Sequence, residues 1–188
     1  MILKTKMKLI KQSLVGLAAL LTLNSAPAEG KERPSKILKC EVSSVYQDML
    51  ERGYAKTASK MKTDEAKANL RQGYCAFGSE RYPTRQDAID VALDHLQKAE
   101  VDGVDPFIGV VYSSLGRETE ISAKNLETML SPSDSPLSLQ QQKVFINQYK
   151  EHAKNLYAVA MVVLKRLDSQ KRFTSYFDQA KSGWERLR

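Results

Sequence analysis

The chain has 188 residues, 42% hydrophobic and 27% charged, with a formal net charge of +7. That is enough chain to bury a real core without metals or many crosslinks, in one domain. The charge is unevenly placed. Lys4, Lys6, Lys8 and Lys11 precede Ala28, whereas all 22 acidic residues follow it. Beyond Ala28 the balance is 25 basic against 22 acidic residues, or +3, and mixed in sign. A dense basic stripe is therefore missing, and no nucleic-acid partner is expected.

Residues 1–28 have the parts of a secretory signal peptide. A basic start leads into the short apolar run Leu14–Leu23, and Ala26-Pro27-Ala28 offers a small-residue cleavage site. The run is too short to cross a hydrocarbon core of about 30 Å, so no membrane anchor is expected after cleavage. The expected location is the periplasm or the medium. Residues 29–35 (EGKERPS) are polar and carry a proline, which predicts a flexible leader. Residues 36–188 form the expected single helical domain.

Two cysteines remain, Cys40 and Cys75. An exported chain with an even count is expected to pair them. Closing a loop of this length stabilises by roughly 3–4 kcal/mol through the entropy of the unfolded chain. With only His95 and His152 beyond the signal segment, and no C-x-x-C or H-x-x-x-H spacing, no metal site is expected.

Helical spacing predicts a helix from Ile37 to Arg52, stopped by Gly53, and a weaker one from Tyr54 to Met61. Thr63-Asp64 caps a third over Glu65–Gln72, stopped by Gly73. Tyr74–Ser79 is short and ambiguous between strand and turn. Pro83-Thr84 opens the clearest helix, Arg85 to Ala99, with Thr84 as N-cap and Asp87 three residues on. Asp105–Gly116 is a fork. Asp105-Pro106 is a good helix start, yet Ile108, Val110, Val111 and Tyr112 favour strands. Helix is preferred; the alternative is an α+β fold with a two-strand element from 74–79 and 107–114. Ser122 caps a short helix to Leu130, and Ser131–Pro136 is a linker by composition. The longest helix starts at Ser135-Pro136. Its stripe is Phe145, Tyr149, His152, Leu156, Val159, Val163 and Leu167, and Leu156–Leu164 is apolar all round, which predicts burial on every side. Asp168-Ser169 breaks it, and Phe173–Leu187 folds back as a last amphipathic helix. The expected fold is mainly α, a helical bundle with one disulfide.

Candidate chemistry is sparse. Asp87, Asp90 and Asp94 share one helix face and stand beside His95, a set that could hold a cation or flank a sugar bond. A solvated face, and a structural His95 and His152, are the simpler reading. Ser79, Ser113 and Ser114 lack a G-x-S-x-G context, and Gly73 and Gly78 make no phosphate loop, so no cofactor is expected. Tyr176, Phe177 and Trp184, among Lys181, Arg186 and Arg188, have the composition of a binding surface. These features point to an exported, non-enzymatic protein that binds another envelope protein, as an inhibitor, immunity factor, chaperone or assembly accessory. The alternatives are an envelope hydrolase acting on peptidoglycan or a related polymer, and a small-molecule or lipid carrier with a cavity near Val110–Tyr112. If Trp184 is a binding anchor, Trp184→Ala leaves thermal stability nearly unchanged and abolishes partner binding; a large stability loss assigns it to the core.

Overall fold

The structure is a computed structural model describing residues 32–101, 105–130 and 138–188. Residues 1–31, which contain the expected signal segment, residues 102–104, and residues 131–137, which contain the expected linker Ser131–Pro136, lie outside the described residues. Among the described residues two short strands, β1 (Glu32–Pro34) and β2 (Glu41–Ser43), precede six helices. These are α1 (Gln47–Ala58), α2 (Asp64–Gly78), α3 (Arg85–Lys98), α4 (Phe107–Thr128), α5 (Leu139–Leu167) and α6 (Thr174–Arg186). The mainly α bundle with a single disulfide is the architecture the sequence predicts. Cys40 and Cys75 are joined, with Cα atoms 6.1 Å apart.

The two-strand element is not where the α+β alternative puts it. Residues 74–78 close α2 and 107–114 open α4, both fully helical. The strands instead take in part of the predicted leader. Glu32 pairs with Ser43, Arg33 with Val42 and Pro34 with Glu41, antiparallel. Ser35 turns the ribbon: its Oγ accepts from the Leu38 N–H, and its own N–H donates to the Cys40 carbonyl. Lys39 completes the turn in the left-handed region, at φ 57°. Three-residue strands around a proline carry too little alternation to show in a sequence.

Predicted helix stops at glycine also give way. Gly53 sits inside α1 and Gly73 inside α2, and no described glycine has a positive φ. Each lets a neighbour approach instead. A Cβ on Gly73 would lie 2.8 Å from Leu96 of α3, and one on Gly53 would lie 3.0 Å from the Tyr74 ring. The helix predicted at 37–52 therefore begins only at Gln47 and absorbs the next one. Likewise α4 runs unbroken through Ser122, which caps nothing.

In α4, burial overrides strand propensity. Phe107, Ile108, Val110 and Val111 are all fully buried. A segment covered on every side gains from burial whichever way it turns, and Asp105 settles the choice locally. Its Oδ1 accepts from the Phe107 N–H at 3.0 Å and its Oδ2 from the Tyr74 hydroxyl at 2.8 Å. Burial pushes the Asp105 carboxyl up; these two hydrogen bonds pull it back. Around this cap the Tyr74 and Phe107 rings stack at 3.9 Å, and Phe77 meets Phe107 edge-on.

The long helix α5 starts with a capping box at Ser138 and Gln141. Its buried side chains are Ile146, Ala153, Leu156, Tyr157, Ala160 and Leu164. Only Leu156 of the predicted stripe is among them. Val162 is 66% exposed, so Leu156–Leu164 is not enclosed on all sides. The seam runs through alanines because α4 and α6 press close. Gly116 of α4 and Gly183 of α6 both face the buried ring of Tyr157. Asp168 ends α5, and α6 folds back on it as predicted.

Alanine in place of glycine normally stabilises a helix by about 1 kcal/mol. At Gly183 the added methyl would overlap a Tyr157 ring that cannot retreat. Gly183→Ala is therefore expected to lose about 1–3 kcal/mol, the cost of overpacking. Urea unfolding at constant m-value is the measurement.

Candidate binding surface

The four catalytic candidates do line α3, but each is engaged locally. Thr84 accepts from the Asp87 N–H at 3.1 Å and donates its hydroxyl to the Asp87 carboxylate at 2.8 Å. Asp90 accepts from Gln86 at 3.2 Å, and Asp94 is paired with Lys98 at 2.6 Å. His95 Nδ1 lies 3.3 Å from the Asn69 side-chain oxygen. A cap, a helix-surface hydrogen bond and an i,i+4 ion pair are structural duties. Among the described residues no group of three or more His, Cys, Asp or Glu is placed to hold a metal. His152 is half-buried on α5, and desolvation lowers its pKa against the raising influence of Asp90.

The C-terminal aromatics are divided between two tasks. Tyr176 and Phe177 pack on the main core, and Trp184 packs on the small cluster of Tyr157, Ala160 and Ala180. All three remain half-buried rather than displayed. Burial, helped by nearby Tyr46, pushes the Tyr176 phenol up to about 12. Its backbone carbonyl accepts from Ser113 at 2.9 Å, which ties α6 to α4. Beside Val110–Tyr112 the packing is close at Gly109, where a Cβ would lie 2.7 Å from Leu164.

Two surfaces were not foreseen. One is an open groove of about 640 Å³ beside the disulfide, between the β-ribbon, α2 and the end of α3. Lys39, Glu41, Arg81, Tyr82 and His95 line it, and both cysteines form part of its wall. The second is an arm made by the far halves of α4 and α5. The pairing register follows from contacts. Gly109 meets Leu164, Gly116 meets Tyr157, and Glu127 pairs with Lys150. Against this, Arg186 near the end of α6 reaches Glu120, and Gly183 reaches Tyr157. The end of α6 reaches a shared pocket with Glu127 of α4 and Lys150 of α5, and the first turns of α5 extend past it. At about 1.5 Å per residue, the stretch of α5 before Lys150 overhangs by roughly 16 Å.

Apolar side chains are left open on this arm. Met129 is 45% exposed, Leu139 40% and Val144 50%. Leu139 stands two turns before buried Ile146, on the same helix face, at a level where α4 has already ended. Residues 139–149 carry one charged side chain, Lys143. Charge depletion with apolar and aromatic side chains marks the cores of protein–protein interfaces. Sequence periodicity had no means to find this surface, because Leu139 and Ile146 belong to one stripe. Only the length of the partner helix separates them.

The root of the arm is fixed by Glu120, which is buried. Arg186 grips both of its oxygens at 3.1 and 2.9 Å, Tyr157 donates to it at 2.9 Å, and Lys124 lies at 3.0 Å. Desolvation works against the carboxylate charge, but the bonds from Arg186, Lys124 and Tyr157 outweigh it and hold the pKa at about 2.

Comparison with known protein families, characterised proteins and solved structures finds no match for this chain. Among the described residues no helix is long and apolar enough to cross a membrane.

The Glu120 pKa lies below its ordinary value of 4.5, so its contribution is whole above that value. It is lost as pH falls from about 4.5 towards about 2. Glu120→Gln is expected to flatten this part of the stability–pH curve. At neutral pH it should cost about 2 kcal/mol, the scale of hydrogen bonds to a charged group. Urea midpoints measured across the acid range check both.

Proposed function

We propose that this chain is an exported, non-enzymatic protein that acts by binding another envelope protein. The observation that carries the reading is the α4–α5 arm. It exposes Met129 at the end of α4 and Leu139 and Val144 in the charge-poor first turns of α5. Exposed apolar side chains with few charges around them suit the core of a protein–protein interface. Export rests on the signal-like residues 1–28, and the Cys40–Cys75 disulfide is in keeping with an oxidising compartment. The local duties of Asp87, Asp90 and Asp94 weigh against the hydrolase alternative. The close packing at Gly109 weighs against the carrier. Tyr176, Phe177 and Trp184 then serve by seating α6, which sets where the arm begins.

The test is capture from envelope extract of the source cells, comparing the unaltered protein with a Leu139→Ser/Val144→Ser variant. The unaltered protein is expected to retain a discrete protein in near-equal amount, and the variant to lose it. Both positions are exposed, so unfolding free energy should stay within about 0.5 kcal/mol. Equal retention by the variant would overturn the arm as the contact.

A further inference from the structure

At the end of the molecule away from the arm, α1 stops and α5 turns back into α6. Lys56, in the last turn of α1, donates to the Gln170 side chain of that reversal at 2.6 Å. Lys60 lies one turn further on, and Lys62 just before α2. Lys165 and Arg166 occupy the last turn of α5, and Lys171 the reversal itself. Two segments 114 residues apart thus bring six exposed cations to one pole. Neither segment alone amounts to a basic stripe, so the patch exists only in the fold.

This charge is not neutralised in place. Among the described residues the ion pairs near this pole are Lys67 with Asp64 and Arg172 with Asp168; none of the six cations enters one. The exposed carboxylates next to the patch in sequence are Asp64 and Glu65, which follow Lys62. Six against two leaves a positive surface. All but Arg166 are lysines, flexible point charges suited to a diffuse negative surface. Two-point recognition of a single carboxylate is the work of arginine. Val162, 66% exposed and one turn before Arg166, sets an apolar side chain on the same helix face.

We infer that this pole docks reversibly on the anionic headgroups of a phospholipid bilayer, through the charge of these six side chains. A cluster of this size beside a negative membrane face is held by electrostatic attraction, with no inserted segment. The inference rests on the export reading only for which surface lies within reach, a membrane face of the envelope. It does not rest on the arm. Helix α5 has 29 residues, so its start stands about 40 Å from the pole at its end. Docking at the pole holds the arm away from the bilayer, where a protein partner can meet it.

Vesicle sedimentation at low ionic strength is the test, using the exported protein. One set of vesicles is phosphatidylcholine, the other an equimolar mixture with phosphatidylglycerol. The protein is expected to sediment with the mixed vesicles only, and to be released by about 0.5 M salt. Lys60→Gln/Lys171→Gln should weaken partition roughly thirtyfold. Lys36→Gln/Lys143→Gln removes the same charge from the ribbon turn and the arm, and should weaken it by about threefold or less. All four positions are exposed, so neither pair is expected to disturb folding. No binding to the mixed vesicles overturns the site. So does equal binding to phosphatidylcholine alone, or equal loss with the two variant pairs. Retention on immobilised polyglutamate without partition into mixed vesicles assigns the pole to an acidic protein and overturns the bilayer. The Leu139→Ser/Val144→Ser variant should bind mixed vesicles normally, whatever its fate in capture; a matching loss there would overturn the separation of pole and arm.

Discussion

Three helices meet at one phenol ring. Tyr157 of α5 lies between Gly116 of α4 and Gly183 of α6, one at each edge of its ring, and is fully buried. Its hydroxyl donates to Glu120, which Arg186 holds in a two-point grip. The packing is possible only because two residues have no side chain. The polar end is tolerable only because the buried carboxylate is fully partnered. Remove the close approach and α6 loses its seat. The arm then loses its boundary, since the overhang is defined by where α6 ends.

A second polar anchor organises the other half of the molecule. Asp105 starts α4 and receives the Tyr74 hydroxyl from α2, at the edge of the stacked Tyr74 and Phe107 rings. Arg85 extends this aromatic group. Its guanidinium lies 4.2 Å from the Phe77 ring centre and 5.0 Å from that of Tyr46. Helices α1 to α3 and the β-ribbon are thereby gathered on the α4 start, and the disulfide closes the groove between them. The two unforeseen surfaces fall at opposite ends of this plan. One lies by the ribbon and the other beyond Glu120.

What was legible in the sequence is what is decided locally. Thr84 and Asp87 form the cap their spacing implies, and the pairing of two cysteines needs no tertiary knowledge. What was illegible depends on a partner. Gly53, Gly73 and Gly116 look like punctuation until a ring or a leucine from elsewhere is seen against them. Ala153 and Ala160 form the α5 seam although small residues score weakly as hydrophobic, so the predicted stripe of larger residues was rotated out of phase. Asp87, Asp90, Asp94 and His95 were correctly placed together on one helix, but composition could not show how each is occupied. The groove brings residues near 40, 80 and 95 together, and no periodicity reports a meeting of that kind.

The dependence on α6 has a consequence for the order in which the structure can close. Every helix from α1 to α5 is synthesised before Gly183 and Arg186 exist. Until then Glu120 has no guanidinium and Tyr157 has one open side. The surroundings of Tyr157 and Glu120 therefore cannot be completed before residues 183–186 have been made, however early the main core assembles.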